Sequence, residues 1–315
     1  MVMTIAERME RHNVHGLSLA VIQGGRLARA EGYGLLEGGT ERGTEPHHLF
    51  HACSISKTVT AMTTLSLAQD GLISLDTDIR PWSGSLPLPS EPVTLRHLLS
   101  HQSGLVDAEG GARVAFAPGA RFEYADAGYA AVEQALTAVT GQPFGRLVEE
   151  RVLQPLGMAQ STFAPGEDAA CGHDRQGRVI PGRRPVSPCQ ASCGLWSSAP
   201  DLAQVALELM AALQGRGRVL SQRTALEMTT PPWHPRIGLG IFLDADRAAE
   251  PWHYHYGWGT GFQGALSFSP GLQSGLVILM NADPGVPQWR SLVGEVAGQI
   301  ATEMGWPRTP TPALW

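Results

Sequence analysis

The chain has 315 residues, of which 43% are hydrophobic and 17% are charged, and it carries a formal net charge of −6. This composition is typical of a soluble globular protein with one large core or two lobes, and the negative charge argues against nucleic acid or an anionic membrane as the main partner. No apolar run reaches the roughly 18 residues needed to span a bilayer. The start, MVMTIAERMERHNVHG, has the pattern of an amphipathic helix and not that of a secretory leader. We therefore expect a cytoplasmic protein.

The first predicted elements are a short helix at about residues 4–13 and a β-hairpin. In the segment GLSLAVIQGGRLARAEGYG, the apolar residues Leu17, Leu19 and Val21 alternate with others before a Gly-Gly turn, and a second strand follows. The next periodic segment, TVTAMTTLSLAQDG, predicts a helix that ends at Gly71.

The middle of the chain, from about 92 to 160, is predicted to be mostly helical. Its segments are TLRHLLSHQ, GYAAVEQALTAVTG and FGRLVEERVLQPLG, and the last two end in glycine. Residues 164–190, with clusters of Pro, Gly and Arg, predict a long surface loop. A further helix, APDLAQVALELMAAL, begins with Pro and Asp in its first turn.

Strand patterns return from about residue 236. The predicted strands lie in IGLGIFLDA, HYHYGWGTGFQGALSFSP and SGLVILMNA, and a final helix lies in PQWRSLVGEVAGQIATEMG. We expect the PRTPTP tail beyond that helix to be loose.

Strands therefore occur at both ends of the chain and helices in the middle. The simplest arrangement is an α/β (α+β) fold, in which one antiparallel sheet from N- and C-terminal strands is flanked by helices and carries an inserted, mainly helical lobe. We expect residues 1–60 and 230–315 to form the sheet domain and residues 61–229 to form the lobe, with an active site at their interface.

One residue is exceptional for its type. Lys57 is the only lysine, so every other member of the 23 Lys and Arg residues is arginine. A buried lysine can lose its proton and act as a base, whereas arginine stays protonated. Ser54 lies three residues earlier, and positions i and i+3 share one face of a helix. The motif Ser54-Ile55-Ser56-Lys57 therefore predicts a serine nucleophile beside a neutral amine at a helix N-terminus.

The other groups that might carry chemistry give weaker signals. The cysteines have spacings that match neither a zinc ribbon nor a redox pair, so we expect free thiols and interpret Cys53 as a packing residue. The histidines at 47, 48 and 51 lack acidic or thiol ligands at metal spacing. We therefore predict no metal site and no organic cofactor.

Several segments in a fixed order resemble the serine β-lactamase and penicillin-binding-protein superfamily, in particular the class C β-lactamase-like branch that includes family VIII carboxylesterases. The segments are LFHACSISKTVTA, TLRHLLSHQSGL, PGARFEYADAGY, VLQPLGMAQSTF, SCGLWSSAPDLA and HYGWGTGFQGALSFSP. The resemblance covers about residues 14–283. It implies a β-lactamase/transpeptidase-like fold.

The resemblance also implies roles for individual residues. Ser54 matches the acylated nucleophile and Lys57 its base partner, and Tyr124 matches the tyrosine that moves protons to the leaving group and from the attacking water. His255-Tyr256-Gly257 matches the HxG motif found in many esterase-like members. The oxyanion would then be held by the backbone amides of Ser54 and Trp258, the residue that follows Gly257.

Two departures from the family pattern bear on the substrate. Asp126 stands where asparagine is usual, and a carboxylate there would pair with Lys57 and hold it protonated, which would give Tyr124 more of the base role. His255 replaces a lysine that suits carboxylate-bearing substrates such as penicillins. Both departures make the site more negative or less positive, so neutral esters are expected to fit best.

The expected function is cleavage of small carboxylic esters through an acyl-enzyme on Ser54. Three alternatives stay open: an acyltransferase that uses the same acyl-enzyme, a D-amino-acid amidase or peptidase or weak β-lactamase, and an inactive binding or regulatory homologue in which Asp126 is the lesion. The expected partner is a small-molecule ester or amide, with no nucleic acid and no membrane. The sequence does not predict an oligomeric state.

Overall fold

The computed structural model describes residues 3–244 and 251–307. Its helices in these ranges are α1 Ile5–Arg11, α2 Ser56–Gln69, α3 Leu95–Leu99, α4 Asp126–Thr140, α5 Phe144–Val148, α6 Gln154–Leu156, α7 Gln190–Cys193, α8 Ala199–Leu213, α9 Gln222–Thr229 and α10 Leu292–Glu303. Its strands there are β1 Gly16–Gln23, β2 Arg26–Gly34, β3 Phe50–His51, β4 Leu105–Ala108, β5 Gly111–Val114, β6 Trp196–Ser197, β7 Phe242–Leu243, β8 His253–Gly259, β9 Phe262–Ser269 and β10 Ser274–Met280. None of the helices in the described ranges is long and apolar enough to cross a membrane.

The predicted sheet from both ends of the chain is confirmed. Six strands among the described residues form one antiparallel sheet in the order β2-β1-β10-β9-β8-β7. The N-terminal hairpin joins the C-terminal strands through β1 and β10, where Leu19 lies opposite Ile278. The turn between β1 and β2 uses Gly24 and Gly25 at φ of 59° and 68°, a conformation that glycine adopts without a steric penalty.

Helices cover both faces of this sheet. Leu17, Leu19 and Val21 of β1 belong to a core that includes residues of α1 and α10. Ala20 and Ile22 belong instead to the larger core around α2 and α8. Successive side chains of a strand point to opposite faces, so one strand contributes to both cores. Full burial of each large aliphatic side chain contributes about 1.5–3 kcal/mol.

Helix α2 lies inside the larger core. All of its residues from 56 to 67 are buried. Thr63 donates within the helix to the Val59 carbonyl at 3.0 Å, whereas Thr60 donates to the Ala191 carbonyl of another segment at 2.7 Å. The helix ends at Gln69, with Asp70 as its C-cap, and Gly71 follows with a φ of 75°, as predicted. The SxxK motif therefore lies at the buried start of a fully enclosed helix.

The helices predicted in the mostly helical segment 92–160 are present, but this segment also contains a hairpin that the sequence did not predict. Residues 105–114 form the hairpin of β4 and β5. Its turn passes through Gly110 and Gly111, both with positive φ, and a Gly-Gly pair favours a tight hairpin over continuation of a helix. This hairpin carries Asp107 to the start of α4.

The expected surface loop at 164–190 is only partly at the surface. Residues 169–173 are buried and are held by main-chain partners far away in sequence. The Ala170 amide donates to the Leu49 carbonyl at 2.8 Å, and His173 Nδ1 lies 2.7 Å from the Asn281 carbonyl oxygen. Polar composition predicted exposure, but these hydrogen bonds allow the segment to be covered.

Two further segments refine the predicted organisation. Helix α8 lies within the predicted lobe of residues 61–229, yet it packs on β1, β9 and β10 of the sheet.

In IGLGIFLDA only Phe242–Leu243 form a strand, because the chain turns at Gly240, which has a φ of 71°. The last residue of that segment, at position 245, and positions 308–312 of the PRTPTP tail lie outside the described residues. The division into 1–60 with 230–315 and 61–229 stays a prediction.

Candidate active site

Ser54 lies in a 3₁₀ turn, Cys53–Ile55, that leads directly into α2. The turn is tight, since Cys53 has a positive φ of 49° and the Ser56 hydroxyl donates to the Cys53 carbonyl at 2.6 Å. The Leu195 amide in turn donates to Ser56 Oγ at 3.1 Å. Left-handed backbone at a residue other than glycine is uncommon and concentrates at functional sites. Here it presents the Ser54 side chain at the head of a buried helix.

Lys57 is fully buried and points its amine at three acceptors. Its Nζ donates to Ser54 Oγ at 3.1 Å, to Asp126 Oδ1 at 2.5 Å and to the Ser192 carbonyl at 2.9 Å. Burial alone would lower the pKa of Lys57, but the influence of Tyr124 and Asp126 outweighs burial, and the net pKa is raised. The resting side chain is therefore an ammonium, as the carboxylate at position 126 predicted and in contrast to the neutral amine expected from the lone lysine.

Tyr124 lies beside the same amine. Lys57 Nζ is 5.0 Å from the centre of the Tyr124 ring, and the ring stacks on His101 with centroids 4.3 Å apart. Burial of the phenol raises the pKa of Tyr124, while the Lys57 charge and interactions with Lys57 and Ser54 act in the opposite direction. The structure thus brings Ser54, Lys57 and Tyr124 together, as the sequence predicted.

Asp126 is the first residue of α4, and its side chain is 49% exposed although its partner Lys57 is fully buried. A second carboxylate, that of Asp107, accepts from the amides of Asp126 and Ala127, both at 2.9 Å. Carboxylates are favoured at a helix N-terminus because the free amides and the helix dipole stabilise negative charge. Asp107 therefore fixes the start of α4 and, with it, the position of the Asp126 carboxylate.

Strand β8 forms the opposite wall of the site. A Cβ atom at Gly257 would collide with the carbonyl oxygen of Ala52 and lie 3.3 Å from Cys53 Cβ. The absence of a side chain thus allows β8 to run directly against the turn that holds Ser54. Trp258 follows Gly257 and is 43% exposed, and its indole nitrogen donates to Asp283 at 2.8 Å. The two segments predicted to supply the oxyanion amides therefore face each other.

His255 shares the Gly257 face of β8, because side chains two residues apart lie on one side of a strand. Its Nδ1 lies 2.8 Å from the Tyr256 carbonyl, which can only accept, so Nδ1 carries the hydrogen. Burial, followed by the Lys57 charge, lowers the pKa of His255 to about 3. The imidazole is therefore neutral, and its buried Nε2 has no hydrogen-bond partner among the described residues.

A cavity of 510 Å³ opens beside Tyr124. Its lining residues are Phe122, Glu123, Tyr124, His234, Pro235 and Arg236. This cavity gives part of a small substrate a place next to the predicted proton-transfer group.

The thiols behave as predicted among the described residues. Cys53 is buried, its Sγ lies 3.2 Å from His51 Nδ1, and burial raises the pKa of its thiol, which fits a packing role. All four cysteines are free. No group of His, Cys, Asp or Glu in the described ranges is arranged to hold a metal ion.

Sequence reasoning missed three groups that shape the site. The Ser192 carbonyl and His101 lie within two segments used for the family resemblance, SCGLWSSAPDLA and TLRHLLSHQSGL. The sequence therefore indicated these segments, but it did not predict that the Ser192 carbonyl accepts from Lys57 or that His101 accepts from the Ala125 amide. Asp107 had no signal, because its helix-capping contact exists only once β4 is folded beside α4.

Comparison with known proteins gives the wider context. The family model described as "Beta-lactamase" matches residues 3–297. The chain belongs to the beta-lactamase family. This family membership agrees with the resemblance read from the SxxK segment and the segments that follow it.

Individual relatives of the family are distant. D-alanyl-D-alanine-carboxypeptidase/endopeptidase AmpH of Escherichia coli (strain K12) is 24% identical in an alignment of 220 residues that covers 59% of this chain and 55% of that protein. The octameric penicillin-binding protein homologue from Pyrococcus abyssi superposes with a TM-score of 0.81 at 24% identity, over 96% of this chain and 76% of that chain. The D-amino acid amidase from Ochrobactrum anthropi SV3 gives a TM-score of 0.78 at 23% identity, over 95% and 98%.

These likenesses establish the beta-lactamase fold and leave the activity open. The first two curated relatives are matched over 38% and 55% of their own lengths, so the chain spans about half the length of these relatives or less. Which bond the chain cleaves must be inferred from its own site.

Proposed function

We propose that this beta-lactamase family member is a serine hydrolase that cleaves small carboxylic esters through an acyl-enzyme on Ser54. The observation that carries the proposal is the hydrogen bond of 3.1 Å from Lys57 Nζ to Ser54 Oγ, with Tyr124 beside the same amine. A nucleophile within hydrogen-bond reach of proton-transfer groups is the arrangement that covalent catalysis requires.

Acylation begins with attack of Ser54 Oγ on the ester carbonyl carbon. Because Tyr124 and Asp126 raise the pKa of Lys57 and keep it an ammonium, the proton acceptor is Tyr124 in its ionised form. Burial raises the pKa of Tyr124 and makes this form a minor one at neutral pH, and the Lys57 charge partly offsets the effect of burial. The amides of Ser54 and Trp258 stabilise the oxyanion, a contribution typically worth about 10²–10³ in rate per donor. Collapse of the intermediate breaks the carbon–oxygen bond, and the departing alkoxide takes the proton from Tyr124.

Deacylation repeats these steps with water. Tyr124 accepts a proton from the attacking water, the same two amides hold the second oxyanion, and the carbon–oxygen bond to Ser54 breaks. Ser54 Oγ then takes the proton back from Tyr124, so that acid is released and the resting enzyme is restored.

The charges around the site favour substrates without a carboxylate. The exposed part of Asp126 places a negative charge in the cleft, and the buried His255 ring is neutral. A carboxylate would meet repulsion from the first and no cation at the second. Neutral esters avoid both costs.

An amidase is the second candidate. The fold superposes on the D-amino acid amidase from Ochrobactrum anthropi SV3 over nearly the full length of both chains, and the same acyl-enzyme would serve amides. Amide substrates demand protonation of a poorer leaving group, so the two activities are separated by comparing matched esters and amides of one acid.

The proposal includes a cytoplasmic location and a small-molecule substrate as the partner, with no nucleic acid and no membrane. It is supported by four free cysteines, which suit a reducing compartment, and by the net charge of −6.

The direct test is hydrolysis of p-nitrophenyl butyrate by the wild type and by Ser54→Ala. We expect turnover in the wild type, none in the variant, and a mass increase of the butyryl group on the wild-type protein after rapid acid quench. Equal turnover by both proteins would remove Ser54 from the mechanism. An acylated wild-type protein that releases product only when an alcohol or amine is added would favour the acyltransferase instead.

A further inference from the structure

His101 contacts the segment that carries Tyr124 on both sides of that residue. The Glu123 amide donates to the His101 carbonyl at 2.9 Å, and the Ala125 amide donates to His101 Nδ1 at 3.2 Å. One residue therefore binds the amide before Tyr124 and the amide after it. The two amides that follow are bound by Asp107, so the backbone around Tyr124 is held on both sides.

The His101 ring also contacts the Tyr124 ring itself. The two rings stack with centroids 4.3 Å apart and planes inclined by 27°, and His101 is 3% exposed. Burial, followed by the charge of Lys57, lowers the pKa of His101 well below its usual value. The ring is therefore neutral, and because Nδ1 accepts from an amide, the hydrogen lies on Nε2.

The backbone of His101 is adapted to this double contact. Its φ is 56°, in the left-handed region that residues with a side chain seldom adopt. A residue kept in that conformation at a cost is expected where the surrounding structure uses it. Here the carbonyl and the ring of one residue reach the two amides that flank Tyr124.

We propose that His101 is the positioning residue for Tyr124, which it holds in register with Ser54 and Lys57. The inference rests on the proposed function, because it gives Tyr124 a proton-transfer role. His101 itself does not touch Ser54 or Lys57 through any hydrogen bond recorded for the described residues. The proposal assigns its effect on catalysis to Tyr124, and this distinguishes it from a residue that only stabilises the fold.

A double-mutant cycle tests this dependence. The rate of covalent labelling of Ser54 by a fluorophosphonate is measured for the wild type, His101→Phe, Tyr124→Phe and the double variant. This assay suits slow variants, because labelling can be followed for hours. His101→Phe keeps a stacking ring and removes the Nδ1 acceptor. We expect it to slow labelling by about 10–100-fold, since a displacement of about 1 Å at a catalytic group costs this much, and to have no further effect in the Tyr124→Phe background.

Two further variants complete the design. His101→Asn suits the left-handed backbone and keeps an acceptor near the Ala125 amide but loses the ring. It is expected to slow labelling less than His101→Phe does. If His101→Phe does not fold, His101→Asn takes its place in the double-mutant cycle. His97→Asn is the matched control, since His97 lies on α3, bonds Thr94 and stacks on Trp233 away from Ser54. It should label at the wild-type rate.

The outcomes separate the two proposals. If the substitution of His101 slows labelling equally in both backgrounds, or has no effect, the positioning role is refuted while the proposed function stands. If Tyr124→Phe alone labels as fast as the wild type, Tyr124 does not move the proton, and the proposed mechanism fails together with the inference that rests on it.

Discussion

Replacement of Asp126 by asparagine tests the electrostatic core of the site. The Asp126 carboxylate lies 2.5 Å from Lys57 Nζ and raises the pKa of Lys57, and it also raises the pKa of Tyr124. Asparagine keeps an acceptor oxygen for the amine but removes the negative charge. The pKa of both proton-transfer groups is therefore expected to fall in Asp126→Asn, so a base becomes available at lower pH whichever group accepts the proton.

The size of the effect follows from the geometry. Two unit charges about 4 Å apart attract by about 4 kcal/mol at an effective dielectric constant of about 20. Because the Asp126 side chain is 49% exposed, solvent screening reduces this value, and we halve it to about 2 kcal/mol. At about 1.4 kcal/mol per factor of ten, the fraction of neutral Lys57 at a given pH rises about 30-fold.

The assay is the pH dependence of kcat/KM for p-nitrophenyl butyrate, which reports the ionisation of the free enzyme. In Asp126→Asn the rising limb of the profile should move to lower pH, and the rate at neutral pH should increase. The control is Asp168→Asn, which removes one negative charge from an exposed carboxylate that pairs with Arg42 and not with Lys57, and it should move the limb much less. A limb that stays in place in Asp126→Asn, or that moves equally in both variants, would refute the assignment of Asp126 as the group that sets the protonation of the site.

Two other predictions concern the β8 wall and acid stability. Gly257→Ala places a methyl group against the Ala52 carbonyl and should lower kcat/KM about 10²–10³-fold, because it displaces the amide of the next residue. The control, Gly298→Ala, lies in open space on α10 and should leave kcat/KM unchanged. Equal activity of the two variants would contradict the role of Gly257. Burial lowers the pKa of His253 to about 4 and that of His255 to about 3, and both values lie below the pKa of histidine in the unfolded chain. Their contribution to the free energy of unfolding is therefore present above about pH 6.5, and it is lost as the pH falls toward the pKa values of the folded protein. In urea unfolding, His253→Phe should reduce the loss of stability between about pH 6.5 and pH 4 by up to about 3 kcal/mol, and a loss as steep as in the wild type would count against this account.

The parts of the fold that local patterns specify were predicted from the sequence. The alternation of Leu17, Leu19 and Val21 with the Gly-Gly turn gave the first hairpin, because period-two burial and turn chemistry act within a few residues. The i, i+3 spacing of Ser54 and Lys57 likewise predicted their contact, since both lie on the first turn of one helical segment.

The parts that depend on distant contacts were not predicted. Asp107 caps α4 only because β4 is folded against that helix, and residues 169–173 are buried because their amides and side chains find partners in other elements. Composition predicted a surface loop at 164–190, but satisfied hydrogen bonds allow the chain at 169–173 to be covered. The placement of His101 around Tyr124 belongs to the same group, since three contacts from one residue cannot be deduced from spacing.

The lone lysine shows how a correct residue can be chosen for an incomplete reason. The sequence argument gave Lys57 a neutral amine, whereas the structure surrounds Nζ with Ser54 Oγ, the Asp126 carboxylate and the Ser192 carbonyl. Three acceptors around one nitrogen match the three donors of an ammonium. A guanidinium is planar, presents its donors as a rigid fork and needs more room, and Lys57 has none because it is fully buried. Arginine is therefore excluded by the shape and the donor geometry of the pocket, and this argument holds whether Lys57 or Tyr124 takes the proton from Ser54.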